Sequence, residues 1–155
     1  MNPTLRQRFR LEELRRAAES PDVVVPEISA ATVGWHVHHL CLSMTGISKA
    51  LLKCTTPPEE PMLESTRSLL DGGTIPRGAA ETPDVARPRT EATAAELAAM
   101  LDESERLLGL AAETAPDTWF RHVVLGPLRR DDALRFAEVH NRHHLEIIQD
   151  LLGAG

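Results

Sequence analysis

The pattern of apolar and polar positions predicts four long helices. Residues 3–19 contain strong helix formers, no internal glycine or proline, and a ragged apolar stripe. Residues 21–27, PDVVVPE, contain two prolines and are predicted to form an extended connection. The second helix is expected to start with Ser29 as its N-cap and to run to about Lys53. Its apolar residues recur at helical spacing: Val33, Val37, Leu40, Met44, Ile47 and Leu51.

The other two long helices lie in the second half of the chain. Thr93 and Glu96 form a capping box, which predicts a helix from Ala94 to about Glu113. Residues 116–132 are predicted to be a connection. The last helix is expected to use Asp131 or Asp132 as its cap and to end near Leu152, before Gly153.

Residues 55–92 break this pattern, because the segment is rich in proline and glycine. It is predicted to be a long loop over one end of the helices, interrupted by a short helix at Met62–Leu70. Loops of this length in compact domains are usually functional or mobile. The chain has 155 residues and only 3% aromatic residues, so its core must come from aliphatic side chains. The predicted fold is all-α: a four-helix bundle with the long loop between helices two and three, forming a single domain over residues 1–155.

The net charge and the cysteine content limit the expected cellular compartment and the classes of binding partner. The net charge of −6 argues against nucleic-acid binding, which needs a basic surface. No apolar run approaches the length of a membrane span, so we expect no membrane association. On one helix, Cys41 and Cys54 would lie too far apart to form a disulfide. Two unpaired thiols indicate a reducing compartment, and the predicted location is the cytoplasm.

The candidate chemistry lies in the histidines. In the last helix, His140 and His144 fall on the apolar stripe, one turn apart, where two imidazoles can bind the same metal ion. The pair of His140 and His143 is also sterically possible, but it would turn the site away from that stripe. His39 belongs to an inward-facing row of the second helix, whereas His36 and His38 are expected to be exposed.

Three imidazoles, from His39, His140 and His144, would leave a coordination position open, as catalytic metal sites do. His122 lies in the connection before the last helix and could line the mouth of the site. There it could donate a hydrogen bond to a substrate or accept a proton, and it is the candidate catalytic residue.

Two sequence blocks resemble the DinB/YfiT-like superfamily of metal-dependent enzymes. They are W-x-x-x-H-L from Trp35 to Leu40 and H-x-x-x-H-L from His140 to Leu145. The second block resembles a branch with H-P-x-x-G-x-L before that helix; His122, Gly126 and Leu128 match, and Val123 replaces the proline. The resemblance implies a four-helix bundle, often dimeric, and a metal site formed here by His39, His140 and His144. Some characterised relatives are transferases or isomerases that use low-molecular-weight thiols.

Three hypotheses follow for the function. The first is an enzyme whose divalent zinc, nickel or iron(II) ion activates water or a low-molecular-weight thiol cosubstrate, as a hydrolase or thiol transferase acting on a small molecule. The second is a non-catalytic stress-response bundle that binds a metal or a small molecule. The third is structural, with the histidines serving as core or dimer residues without a metal. The resemblance also implies a homodimer.

Overall fold

The computed structural model describes residues 3–54, 60–78 and 81–154, and most of these residues are helical. The helices are α1 Pro3–Arg8, α2 Leu11–Ala17, α3 Val33–Lys53, α4 Glu64–Gly72, α5 Ala94–Ala112 and α6 Arg130–Ala154. A 3₁₀ turn spans Asp84–Ala86. Two short strands, β1 Trp119–His122 and β2 Gly126–Arg129, form an antiparallel hairpin. The prediction of a predominantly helical fold is therefore confirmed, and the hairpin is an addition to it.

A single aliphatic core joins α2, α3, α5 and α6. The apolar stripe predicted for the second helix faces this core, where Leu40, Met44 and Leu51 of α3 are almost fully buried. The capping box at the start of α5 is present, because Thr93 accepts a hydrogen bond from the Glu96 backbone and Glu96 accepts one from the Thr93 backbone. Burial of these apolar faces supplies the main driving force for packing the helices.

The predicted first helix is broken in two. Arg10 adopts a left-handed conformation with φ of 58°, which separates α1 from α2. Phe9 at the break is fully buried, and its carbonyl oxygen accepts a hydrogen bond of 2.9 Å from the side-chain amide of Asn141 on α6. The prediction of one helix over residues 3–19 was wrong because this tertiary contact satisfies a carbonyl that a continuous helix would have used.

The second helix starts later than predicted. Its N-cap is Thr32, whose hydroxyl accepts a hydrogen bond of 3.0 Å from the Trp35 backbone, and not Ser29. The preceding connection packs directly on the first turn: the Gly34 N–H donates to the Pro21 carbonyl at 2.9 Å. A Cβ at Gly34 would lie 2.9 Å from Pro21, so this close approach requires glycine.

The segments on either side of α5 differ from the prediction. α4 starts at Glu64 rather than Met62, and Gly73 ends it in a left-handed conformation. Residues 116–132, predicted to be a plain connection, contain the β hairpin. Because α6 starts at Arg130, Asp131 and Asp132 lie inside its first turn and are not its cap. Parts of the predicted loop 55–92, residues 55–59 and 79–80, lie outside the described residues.

The structure bears on two further expectations from the sequence. Cys41 and Cys54 do not form a disulfide with each other. In the described ranges of the chain, none of the helices combines the length and the apolar character needed to cross a bilayer.

Candidate metal centre

Three histidines meet between α3 and α6. His39 comes from α3, and His140 and His144 come from successive turns of α6. One ring nitrogen of each histidine lies within 4.8 Å of the corresponding nitrogens of the other two. The structure thus brings together the three residues that the sequence singled out as metal ligands.

The His39 ring is held by two contacts. Its Nδ1 atom lies 2.7 Å from the carbonyl oxygen of Ala86 in the 3₁₀ turn. Because a carbonyl only accepts hydrogen bonds, Nδ1 carries the proton, and the lone pair of neutral His39 is on Nε2. The indole of Trp35, one turn earlier on α3, stacks on the ring at a centroid distance of 5.2 Å. These contacts leave Nε2 of His39 as the nitrogen that can bind a metal ion.

His140 is stacked in a similar way, but one of its nitrogens is unpaired. The Phe136 ring, one turn earlier on α6, lies nearly parallel to it at a centroid distance of 5.1 Å. Nε2 of His140 lies 3.0 Å from Nε2 of His39, within hydrogen-bond distance of that lone pair. Nδ1 of His140 is buried and has no hydrogen-bond partner among the described residues. An unsatisfied buried nitrogen beside other imidazoles is costly and fits a site built for a cation.

His144 contacts a histidine that was predicted to be exposed. Nδ1 of His144 lies 2.9 Å from Nδ1 of His36, and Nε2 of His36 lies 3.0 Å from the Ser29 hydroxyl. His36 is 4% exposed and His38 is 8% exposed, so the prediction that both face solvent was wrong. The reason lies outside α3: the connection carrying Ser29 covers His36, and residues 88–92 border His38.

Burial keeps these imidazoles neutral. Desolvation lowers the pKa of His39 and lowers those of His140 and His144 further, and neighbouring histidines add to the effect. The pKa of His36 falls to about 4, mainly through burial and then through the neighbouring His39. At neutral pH the histidines are therefore in the uncharged form that a metal ion requires.

A cavity of about 260 Å³ opens onto the three histidines. Its walls are mainly apolar and come from α3, α4, α6, the hairpin and residues 75–78 and 81–86. They include Leu69, Ile75, Pro76, Pro83, Val124, Leu125, Phe136 and Ile147. His122 and His143 also line the cavity, and Glu81 is a carboxylate residue on its wall. Described residues of the predicted long loop therefore form part of the cavity wall.

His122 lies at the end of β1 with its proton position defined by the backbone. Its Nδ1 accepts hydrogen bonds from the backbone N–H groups of Val124 and Leu125, each at 3.1 Å. Burial lowers the pKa of His122, so the ring is neutral and its proton is on Nε2. Of the two roles predicted for His122, this arrangement supports hydrogen-bond donation over proton acceptance.

Sequence reasoning missed the residues that orient the ligands. Trp35 and Phe136 each precede a candidate ligand by four residues, and this spacing could have identified both stacking partners. The Ala86 carbonyl and the Ser29–His36 pair leave no comparable signal, because tertiary contacts between distant segments bring them to the site.

The fold and the site together define the class of protein: a mostly helical protein with a candidate three-histidine metal centre between two of its helices. A family model described as the DinB superfamily matches residues 7–148, and the chain belongs to that superfamily. No curated protein and no solved structure matches it.

Proposed function

We propose that the protein is a metal-dependent enzyme whose divalent ion is held by His39, His140 and His144. The observation that carries the proposal is the convergence of three ring nitrogens within 4.8 Å, from three residues that line a cavity. The donor set supports it: three neutral imidazoles suit zinc, nickel or iron(II) and leave the charge of the ion uncompensated. Membership of the DinB superfamily agrees with a metal site of this kind.

The reaction we propose is hydrolysis or the transfer of a low-molecular-weight thiol to a small electrophile. When bound, a divalent ion supplies Lewis acidity, which lowers the pKa of water or of a thiol toward neutrality. The mainly apolar cavity walls favour a small, largely apolar substrate. His122 would orient that substrate by donating a hydrogen bond from Nε2.

A non-catalytic metal- or small-molecule-binding protein is the second candidate. The observation that favours it is the engagement of His122 Nδ1 by two backbone N–H groups, which removes the obvious proton acceptor from the cavity. Substrate screens with the metal-loaded protein separate the two candidates. Turnover that is lost in His122→Phe, with the metal retained, supports the enzyme; metal binding without turnover of thiol or hydrolytic substrates supports the second candidate.

The first experiment is elemental analysis of protein purified without a histidine tag or chelating resin. We expect about one divalent ion per chain, lost in His144→Ala, because three imidazoles form the smallest set that completes the site. His38→Ala is the matched control, since it removes a buried histidine from the same region without touching the cluster. Wild-type protein that contains no metal and takes up neither zinc nor nickel on dialysis would refute the proposal.

We also propose the finer features of fold and assembly. Burial of Leu11 and Leu14 in the core shared with α3, α5 and α6 supports α2 as the fourth member of a four-helix bundle. We propose that residues 1–155 form one domain, and that the protein works as a cytoplasmic homodimer on small molecules and does not bind nucleic acid.

A further inference from the structure

Among the ligand candidates, His144 has a hydrogen-bond partner that can either donate or accept. Its Nδ1 lies 2.9 Å from Nδ1 of His36, and the chain of contacts continues to Ser29 through Nε2 of His36 at 3.0 Å. We propose that His36 is a positioning residue for the metal centre: it accepts a hydrogen bond from Nδ1 of His144 and so leaves Nε2 of His144 free to bind the ion. This inference rests on the proposed function.

Two proton arrangements satisfy the chain of contacts. In the first, Ser29 donates to Nε2 of His36, His36 donates from Nδ1 to His144, and the proton of His144 is on Nε2. In the second, His144 donates from Nδ1 to His36, and His36 donates from Nε2 to the Ser29 oxygen. Because a neutral imidazole carries one proton, only the second arrangement leaves a lone pair on Nε2 of His144.

The Ser29 hydroxyl is placed to support the second arrangement. Its oxygen already accepts the backbone N–H of Ala31 at 3.2 Å, and its other lone pair is available to the Nε2–H of His36. His39 needs no such selection, because the Ala86 carbonyl can only accept. His36 therefore supplies for His144 the acceptor that the backbone supplies for His39.

The geometry also separates His36 from the ligands. His39, His140 and His144 form the cluster whose nitrogens converge; His36 is not a member of it and contacts His144 through Nδ1 of both rings. The buried position of His36 gives it no alternative partner in solvent, which makes its effect on His144 strong.

The test compares two substitutions at one position in the full-length protein. His36→Phe keeps an aromatic ring but removes the acceptor, whereas His36→Asn retains an acceptor, since Asn Oδ1 is as many bonds from Cα as His Nδ1. Zinc affinity is measured by competition with a chromophoric chelator. We expect His36→Phe to bind zinc about 10–100-fold more weakly, as is typical when an outer partner of a metal ligand is lost. We expect His36→Asn to recover most of that loss.

His38→Phe is the matched control, because His38 is buried two residues away and lies outside the cluster; its zinc affinity should equal that of the wild type. A second measurement is ¹⁵N NMR of the imidazoles in the zinc-loaded wild type, where we expect the His144 proton on Nδ1. For variants that lose stability, the cobalt(II) absorption spectrum reports whether three imidazoles still bind the ion.

The outcomes are distinct. Wild-type affinity in a folded His36→Phe protein, or a His144 proton on Nε2 in the zinc-loaded state, would overturn the role of His36 while leaving the metal centre in place. Loss of zinc binding in His36→Asn as complete as in His144→Ala would make His36 a ligand and also overturn the proposal. Wild-type protein that binds no metal would overturn both this inference and the proposed function.

Discussion

The hairpin that carries His122 depends on the backbone conformation of Gly126, and replacing this glycine tests that conformation directly. Gly126 opens β2 opposite His122 and has a φ of 71°, in the left-handed region that glycine adopts without steric cost. A Cβ at this position would lie 2.9 Å from Cδ1 and 3.0 Å from Cγ of Leu63. Gly126→Ala therefore strains the backbone and forces the Leu63 side chain to move.

The expected loss of stability follows from three contributions. The left-handed conformation costs alanine about 1–2 kcal/mol. Reduced freedom of the unfolded chain offsets about 0.4–1 kcal/mol of that. Leu63 is 46% exposed and can rotate aside, at about 0.5–1.5 kcal/mol for an unfavourable rotamer. The net expectation is a decrease of about 1–2 kcal/mol in the free energy of unfolding, within the usual range for a single substitution.

Gly46→Ala is the matched control, for which the expected change in the free energy of unfolding has the opposite sign. Gly46 is an exposed helical residue of α3, and a Cβ there would meet nothing within 4 Å. The substitution should stabilise the protein by about 0.5–1 kcal/mol, because alanine has the higher helix propensity. Urea denaturation of the metal-free proteins measures both changes. A Gly126→Ala protein as stable as the wild type, beside a stabilised Gly46→Ala protein, would refute the strained conformation at the hairpin.

Two further predictions concern groups away from the cavity. Burial raises the pKa of the Cys41 thiol to about 12. In a Cys54→Ala background, Cys41 should therefore resist a thiol reagent at pH 8 until the protein is unfolded. Rapid labelling of the native protein would contradict this. Burial raises the pKa of Glu105, but hydrogen bonds from Arg6 and Arg15 outweigh it, and the net pKa lies below the ordinary value of 4.5. This stabilisation is present above the unfolded pKa and is lost as the pH falls through the folded pKa. In Glu105→Gln, the urea midpoint should therefore fall less steeply with decreasing pH below about pH 4.5 than it does in the wild type. The same pH dependence in both proteins would rule out this contribution.

Periodicity predicted the long helices well because their apolar faces are continuous in sequence. α3, α5 and α6 end within a few residues of the predicted positions, and the capping box at Thr93 is present. The first helix could not be predicted to break at Arg10, because the partner of the Phe9 carbonyl is Asn141, at the far end of the chain. The start of α3 moved for a similar reason, since the Pro21 connection packs on Gly34.

The candidate ligands were predictable, and most of their surroundings were not. His140 and His144 are one turn apart on the apolar stripe of α6, and His39 belongs to the inward-facing row of α3. Burial of His36 was missed because helical periodicity describes one helix face and says nothing about a loop that covers another. The hairpin was missed because its strands have only four residues each, and the sequence VVLGPLRR around Gly126 was read as a connection.

Two of the three histidines contact an aromatic ring from their own helix. Trp35 stacks on His39 and Phe136 stacks on His140, each from one turn earlier on the same helix, so the pattern recurs on α3 and α6. Such ring contacts restrict the rotamers of the imidazoles, which would otherwise lose freedom only on binding the ion. His144 has no stacking partner of this kind on α6, because the residue four positions earlier is His140 itself. His36 on α3 restrains the His144 ring instead, through the hydrogen bond between their Nδ1 atoms. This role gives a reason for burying a polar side chain such as His36, which would otherwise be more stable in water.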